Sequence, residues 1–155
     1  MPILIVMNKP YNDDGALRTV IDYVARGGYG YCGGYAVNPR YAFEEMQLVK
    51  NLWGKDHGRR IRHFILSFGK GEYIGYEEAM RLGFSICSYY RNYQSLYGLH
   101  VDTEHLHLHF AVNTVAYTDG KMYAEGLSDW HMLRGYIQGL LPKWYVDFRI
   151  SGPAA

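Results

Sequence analysis

The chain has 155 residues, a formal net charge of +1, 48% apolar residues and 20% charged residues. This length favours one domain with a sizeable core, and the composition excludes a disordered or fibrous protein. The apolar run 3–7 is too short for a membrane span or a signal peptide, and Cys32 and Cys87 form neither a zinc pattern nor a disulfide framework. We therefore expect one cytoplasmic, monomeric domain over residues 1–155, with reduced thiols and no membrane association.

Strands and helices alternate along the chain. In order, we predict a strand at 1–7, a helix at 15–26, a Gly-rich loop at 27–39, a helix at 41–53, a strand at 60–68, a helix at 76–93, strands at 96–102 and 106–116, and a helix at 128–141. Asp13 or Asp14 is expected to cap the first helix and Ser128 the last, and Asp119-Gly120 predicts a hairpin turn. Because short connections between strands favour antiparallel pairing, we predict an α+β fold with a central antiparallel sheet. Its helices should lie mainly on one face and leave the other face open.

Four of the seven histidines lie within residues 100–109. From residue 105 histidines alternate with apolar residues, as in a strand with one buried face, so His105, His107 and His109 should point the same way. Two imidazoles in a His-x-His pair can reach one metal ion, and His100, just before a predicted bend, is the candidate third ligand. A polar strand face without a metal is the alternative, and the ligand-like spacing of four histidines disfavours it.

The same stretch resembles the third motif of the relaxases, which belong to the HUH family of single-strand endonucleases. That motif reads His100-Val-Asp-Thr, a short spacer, His107-Leu-His109, and a hydrophobic run ending at Asn113. This third motif is more specific than the two upstream motifs described below. The resemblance is closest to the VirD2-like mobilization group of relaxases.

Two upstream segments resemble the other relaxase motifs, in the family's order. A predicted strand ends in Ser67-Phe and is followed by Gly-Glu72, like the second motif, and 17–24 is similar to the first, which carries the nucleophilic tyrosine. The three motifs span 1 to about 125 and imply the palm-like α+β sheet of HUH nucleases. Relaxases usually continue into further regions, so we expect either an excised catalytic domain or an unusually compact protein.

The resemblance implies a divalent metal held by His100, His107 and His109. His105 is then extra, although its spacing to His107 also permits a shifted set of ligands. Mn or Mg is the ion expected in cells, while imidazole ligands would also accept Zn, Co or Ni in vitro. Asp102 is expected to orient a ligand imidazole, and Glu72 to act likewise or to draw a proton.

Tyr23 matches the family's nucleophile position. It lies at the edge of the predicted apolar stripe of the first helix, so its ring can pack while its hydroxyl reaches outward. From the residues alone an ordinary boundary tyrosine is favoured, and Tyr23 becomes the nucleophile only through the resemblance. Tyr29, Tyr31 and Tyr35 in the Gly-rich loop are the alternatives.

A net charge of +1 gives little support to nucleic-acid binding. Basic residues nevertheless cluster at 50–62, and an aromatic content of 16% suits base stacking on single-stranded DNA. The expected DNA contacts, which combine basic, stacking and hydrogen-bonding side chains, are Ser67, Tyr29, Tyr31, Arg60, Arg62 and Asn113.

The sequence thus predicts a metal-dependent relaxase that nicks single-stranded DNA at an origin of transfer through a 5′-phosphotyrosine link. Accessory relaxosome proteins are possible partners. Three alternatives stay open: an HUH transposase or rolling-circle replication initiator with a downstream tyrosine such as Tyr136 or Tyr145, an origin-binding module without catalysis, and a metal-dependent hydrolase that uses water.

Overall fold

The computed structural model describes residues 1–124 and 126–152 of the chain. The predicted domain 1–155 therefore includes Glu125 and 153–155, which lie outside the described residues. The strands are β1 (Ile3–Met7), β2 (Cys32–Tyr35), β3 (Ile61–Ser67), β4 (Ser95–His100), β5 (His107–Asn113) and β6 (Asp147–Ser151). The helices are α1 (Ala16–Val24), α2 (Ala42–Leu52), α3 (Tyr76–Cys87) and α4 (Leu127–Leu140).

The six strands form one sheet in the order β2-β4-β5-β3-β1-β6. Neighbours pair antiparallel except β1 and β6, which are parallel, so the sheet is mixed. The predicted α+β class is confirmed. Two edge strands were not predicted from the sequence, β2 inside the Gly-rich loop and β6 after the last helix.

Helices cover both faces of the sheet, unlike the predicted arrangement with one open face. Helices α3 and α4 pack on the face that carries Phe64, Leu108 and Phe110. Helices α1 and α2 pack on the opposite face, around Ile61 and Ala111. That second face also carries the histidines of β4 and β5, because side chains alternate along each strand. The histidines therefore lie beside a helix.

The ends of the helices differ from the predicted caps. The N-cap of α1 is Gly15, whose N–H donates to the Asp13 carboxylate at 2.9 Å. Helix α4 begins after Gly126, and Ser128 lies within its first turn. The predicted hairpin turn is confirmed, since Val115 pairs with Met122 around residues 119 and 120. Among the described residues, no helix is long and apolar enough to cross a bilayer.

Candidate active site

Three histidines meet where β4 and β5 pair. His100 lies opposite His107 in the strand register, and the rings of His100 and His109 stack with centroids 3.9 Å apart. The ring of His107 lies 6.0 Å from that of His109. His63, on the neighbouring strand β3, brings a fourth ring to within 5.7 Å of His109. The structure thus brings together the three histidines that the sequence nominated and adds His63.

His105 does not share the strand with the other histidines. Strand β5 begins at His107, so the alternation expected from residue 105 holds only from 107 onward. The Nδ1 atom of His105 lies 3.2 Å from the Phe68 carbonyl oxygen, and its ring is 6.5 Å from His107. The expectation that His105 points with His107 and His109 along one strand is therefore wrong.

Each of the three clustered histidines uses one ring nitrogen in a contact within the protein. His100 Nε2 lies 3.0 Å from the Val24 carbonyl oxygen, His107 Nδ1 lies 3.3 Å from Thr103 Oγ1, and His109 Nδ1 lies 3.4 Å from His63 Nε2. The second nitrogen of His100, Nδ1, is a buried atom without a hydrogen-bond partner in the described part of the chain. Metal-binding imidazoles are held in this way, with one nitrogen oriented by a protein partner and the other left for the ion.

Burial keeps these imidazoles neutral. Loss of solvent, reinforced by the neighbouring His100, lowers the pKa of His63 to about 4 and that of His109 to about 2. Burial also lowers the pKa of His100 and His107. A neutral imidazole offers the lone pair that a metal needs. The donor chemistry therefore fits a divalent ion.

The rings as they stand are not arranged around one point. Within residues 1–124 and 126–152, no group of three His, Cys, Asp or Glu side chains is placed to hold a metal ion. His100 and His109 lie face to face, with an angle of 25° between their rings. Binding one ion by both residues would thus require the two rings to turn relative to each other.

Tyr23 stands over the histidine cluster. It lies in the last turn of α1, and its ring makes edge contacts with His63, His100 and His109 at centroid distances of 5.9, 5.6 and 5.1 Å. The residue is 41% exposed, so substrate can reach it. The guanidinium of Arg26 lies 4.6 Å from the centre of the tyrosine ring. The Tyr23 ring therefore lies between the Arg26 guanidinium and the imidazoles of the cluster.

Gly98 allows α1 to end this close to the sheet. A Cβ atom at Gly98 would overlap the Val24 carbonyl oxygen and come within 3.1 Å of the carbonyl carbon. The same carbonyl oxygen is the partner of His100 Nε2. Only glycine therefore lets the end of α1 orient His100 and set Tyr23 over the histidines.

Two cavities adjoin the cluster. One, of about 300 Å³, is lined by residues that include Lys9, Tyr11, Thr19, Tyr23 and His63. The other, of about 250 Å³, is lined by residues that include Arg26, Tyr31, His100 and Asp102. Tyr23 thus borders one cavity and Arg26 the other, and each cavity is open to an extended polymer such as a nucleic-acid strand.

Comparison with known proteins places this arrangement in a family. The family model described as relaxase, MobA/VirD2-like, nuclease domain, matches residues 23–143. The chain belongs to this family. The match covers most of the chain and contains the tyrosine, all three histidines and the strands that carry them.

A curated relative gives a shorter match. The relaxase domain is 40% identical over 58 residues to Protein MobA of Acidithiobacillus ferrooxidans. That region is 36% of this chain and 14% of the relative, so the chain matches only a small part of that protein. No solved structure matches.

The two predicted acidic residues of the relaxase domain lie in loops. Asp102 is exposed and pairs with Arg26 at 3.4 Å, so its contact is with the guanidinium beside Tyr23 and not with an imidazole. Glu72 accepts a hydrogen bond from the Gly69 N–H and pairs with the N-terminal amine at 2.7 Å. These contacts hold the 69–72 loop to β1, and they give Glu72 no orienting role toward a histidine.

Three predicted DNA contacts lie on accessible parts of the relaxase domain. Ser67 ends β3, half-buried and opposite His107 in the register. Tyr31 borders the cavity beside His100, and its ring meets that of Tyr76 edge-on at 5.6 Å. Tyr29 is 48% exposed and has the Arg40 guanidinium over its ring at 4.7 Å.

The other three predicted DNA contacts are corrected by burial or pairing. Arg62 is 1% exposed and lies inside the core, with its guanidinium 3.9 Å from the centre of the Tyr123 ring. Asn113 is fully buried, and its amide donates to the Gln94 side chain at 3.0 Å. Arg60 is mostly buried and pairs with Asp56 and Asp14 at 3.2 and 3.4 Å. The basic run in the sequence is thus largely turned inward or neutralised.

The downstream tyrosines lie away from the histidines. Tyr136 is on α4, against the opposite face of the sheet, and its hydroxyl donates to the Ser85 carbonyl oxygen at 3.0 Å. Tyr145 contacts Arg134 at 4.8 Å. Neither residue borders the two cavities described above.

Several residues of the site were not predicted from the sequence. His63 alternates with Ser67 on β3, which places both side chains on the histidine face, and this alternation could have identified it. Tyr11 and Lys9 belong to an irregular loop without periodicity, so no pattern marked them. Arg26 could have been found, because it follows Tyr23 by nearly one helical turn.

Proposed function

We propose that this relaxase domain is a metal-dependent nickase and transesterase acting on single-stranded DNA at an origin of transfer, with Tyr23 as its nucleophile. The observation that carries the proposal is the contact of the Tyr23 ring with three neutral, buried imidazoles. A nucleophile and a set of metal-binding side chains on one accessible surface are what phosphodiester transfer needs. Family membership supports the general assignment to DNA nicking.

In the proposed reaction the Tyr23 hydroxyl oxygen forms a bond to the scissile phosphorus. The bond from phosphorus to the 3′ oxygen breaks, and that oxygen takes a proton to become a free 3′-hydroxyl. The product is a 5′-phosphotyrosine, which keeps a phosphodiester linkage. The same domain can therefore rejoin strands without ATP.

The phenol proton of Tyr23 has to leave during attack. His63 and His109 are too weakly basic to hold it at neutral pH, since their pKa values are about 4 and about 2. Tyr23 is 41% exposed, so its proton can pass to the buffer in the surrounding solvent, which also returns a proton to the 3′ oxygen. Arg26, 4.6 Å from the ring, stabilises the negative charge that develops on the phenol oxygen.

His100, His107 and His109 would hold the metal. A divalent ion bound there, Mn or Mg in cells, would act as a Lewis acid toward the non-bridging phosphate oxygens. The protein's own part is to orient each imidazole through Val24, Thr103 and His63.

The DNA strand is proposed to pass across the end of α1. Lys9 in one cavity and Arg26 at the other are the cations that can meet phosphates. Tyr31 and the more exposed Tyr29 offer rings for base stacking, and the hydroxyl of Ser67, beside His107, can donate to the backbone.

The deciding experiment detects the covalent intermediate. Single-stranded oligonucleotides tiling a candidate transfer origin are incubated with the protein and Mn²⁺, and a denaturing gel separates any protein–DNA adduct. We expect an adduct that is absent in Tyr23→Phe and present in the control Tyr136→Phe. An adduct that survives in Tyr23→Phe would move the nucleophile elsewhere, and cleavage without an adduct would indicate water as nucleophile. Binding without cleavage would favour the origin-binding module.

A further inference from the structure

A hydrogen-bonded chain runs from the site to a loop residue that no motif identifies. Tyr11 Oη lies 3.2 Å from His63 Nδ1, and His63 Nε2 lies 3.4 Å from His109 Nδ1. Both histidines are buried, at 6% and 3% exposure. These hydrogen bonds connect the loop after β1 to the centre of the histidine cluster.

Tyr11 adopts an unusual backbone conformation. Its φ is 48°, in the left-handed region that residues other than glycine rarely occupy. The Arg60 N–H donates to the Tyr11 carbonyl oxygen at 2.7 Å and holds this conformation. Strained backbone that neighbours hold in place is concentrated at functional sites, so the position of this hydroxyl calls for an explanation.

When both imidazoles are neutral, only two arrangements of the protons form both hydrogen bonds that link Tyr11, His63 and His109. In the first, the Tyr11 hydroxyl donates to His63 Nδ1, His63 donates from Nε2 to His109 Nδ1, and His109 carries its proton on Nε2. In the second, His109 donates from Nδ1 to His63 Nε2, and His63 donates from Nδ1 to the Tyr11 oxygen. Both contain the same number of protons. They differ in direction, and only the second leaves a lone pair on His109 Nε2 and frees the Tyr11 hydrogen to point elsewhere.

We propose that Tyr11 and His63 form a tautomer relay, in which an ion bound at His109 selects the second arrangement and turns the Tyr11 hydroxyl into a donor for a DNA phosphate. The inference rests on the proposed metal-dependent function. It assigns Tyr11 and His63 as positioning residues, and it makes phosphate binding and metal binding favour each other.

The space beside Tyr11 suits a phosphate. Tyr11, Tyr23 and His63 line the same cavity as Lys9 and Thr19. Beside the proposed nucleophile Tyr23, the Lys9 ammonium and the hydroxyls of Tyr11 and Thr19 are groups that can hold a phosphodiester. A released Tyr11 hydrogen would therefore meet an acceptor next to the nucleophile.

Metal affinity tests the first half of the relay. Binding of Mn²⁺ to the metal-free protein is measured by calorimetry for the wild type, Tyr11→Phe, His63→Gln and the control Tyr117→Phe, whose hydroxyl donates to a backbone carbonyl elsewhere. In Tyr11→Phe the His63 N–H would be left buried without its acceptor. We expect Mn²⁺ binding 10- to 100-fold weaker than in the wild type or the control. Equal affinity in Tyr11→Phe and wild type would refute the relay.

Nitrogen chemical shifts report the tautomers directly. Long-range ¹H–¹⁵N correlation spectra of histidine-labelled protein are recorded without metal and with Zn²⁺. We expect His63 and His109 to carry their protons on Nδ1 in the Zn²⁺-bound form, a signature that a purely structural role for Tyr11 would not produce. A proton on Nε2 of His63 in that form would overturn the assignment.

DNA affinity tests the second half. Binding of a fluorescent (dT)20 oligonucleotide is measured with and without saturating Mn²⁺. The relay predicts that the gain in affinity caused by Mn²⁺ falls about tenfold in Tyr11→Phe, the effect of losing one hydrogen bond to a charged group. An unchanged gain would contradict it.

The outcomes also separate the relay from the proposed function. A wild type that binds no metal overturns both. Metal binding that is lost in His109→Ala and unchanged in Tyr11→Phe keeps the metal site and overturns the relay alone.

Discussion

Substitution of Gly98 by alanine should disconnect Tyr23 from the histidines. The added methyl group would overlap the Val24 carbonyl oxygen, and separating the two atoms to ordinary contact requires a shift of about 1 Å or more. Because β4 is an interior strand of the sheet, the end of α1 should move instead. Overpacking of this kind costs about 1–3 kcal/mol in the free energy of unfolding. A displacement of about 1 Å at a reacting group lowers the rate about 100-fold.

Two measurements on Gly98→Ala test this reasoning. Urea denaturation gives the loss of stability, and the single-turnover rate of adduct formation gives the loss of activity under conditions where the variant is folded. The matched control is Gly135→Ala in α4, where an added Cβ meets nothing within 4 Å and the helix should gain about 0.5–1 kcal/mol. A Gly98→Ala protein that is as stable and as fast as the wild type would show that this close approach does not position Tyr23.

Two further substitutions test buried cations. Burial lowers the pKa of Lys50 from 10.5 to about 8, which corresponds to roughly 3 kcal/mol of destabilisation by the charged form. The lysine is charged in both states below pH 8, and between pH 8 and 10.5 the folded state loses the proton first, so stability rises with pH. We expect Lys50→Met to be more stable than the wild type at pH 7, with an advantage that shrinks above pH 8 in urea denaturation; parallel pH profiles would contradict this. Arg62→Ala should lose about 3 kcal/mol, because its guanidinium lies 3.9 and 4.1 Å from the ring centres of Tyr123 and Trp130. Its affinity for single-stranded DNA, measured on folded protein, should equal that of the wild type, whereas a selective loss of DNA binding would place Arg62 on the surface.

Local periodicity was sufficient for the central elements. The stripe of Leu17, Val20, Ile21 and Val24 is buried as predicted, because helical spacing alone decides which side chains share a face. The predicted strands at 60–68 and 96–102 correspond to β3 and β4 within two residues at each end. Spacing predicted that histidines of the two strands lie together, and the resemblance to the relaxase motif selected His100, His107 and His109 among them.

Tertiary contacts decided what periodicity could not. Strand β2 contains Gly33 and Gly34 and has little strand propensity, so its place comes from pairing with β4. The glycines also make room, since a Cβ at Gly33 would strike the Tyr97 ring. Arg62 was predicted as a DNA contact, because its charge alone does not show which face of the strand it occupies. The alternation from His63 would have placed it opposite the histidines, in the core.

The site joins parts that differ in local stability. His100, His107 and His109 lie on β4 and β5, which are hydrogen-bonded on both sides in the middle of the sheet, whereas Tyr23 lies in the last turn of a helix of only nine residues. Amide exchange should therefore be slowest across β4 and β5 and faster in the last turn of α1. We therefore predict that Tyr23, the proposed nucleophile, separates from the imidazoles by a local opening that costs less free energy than global unfolding. A tyrosine that carries a covalently attached strand could then swing out and return while the histidines remain fixed.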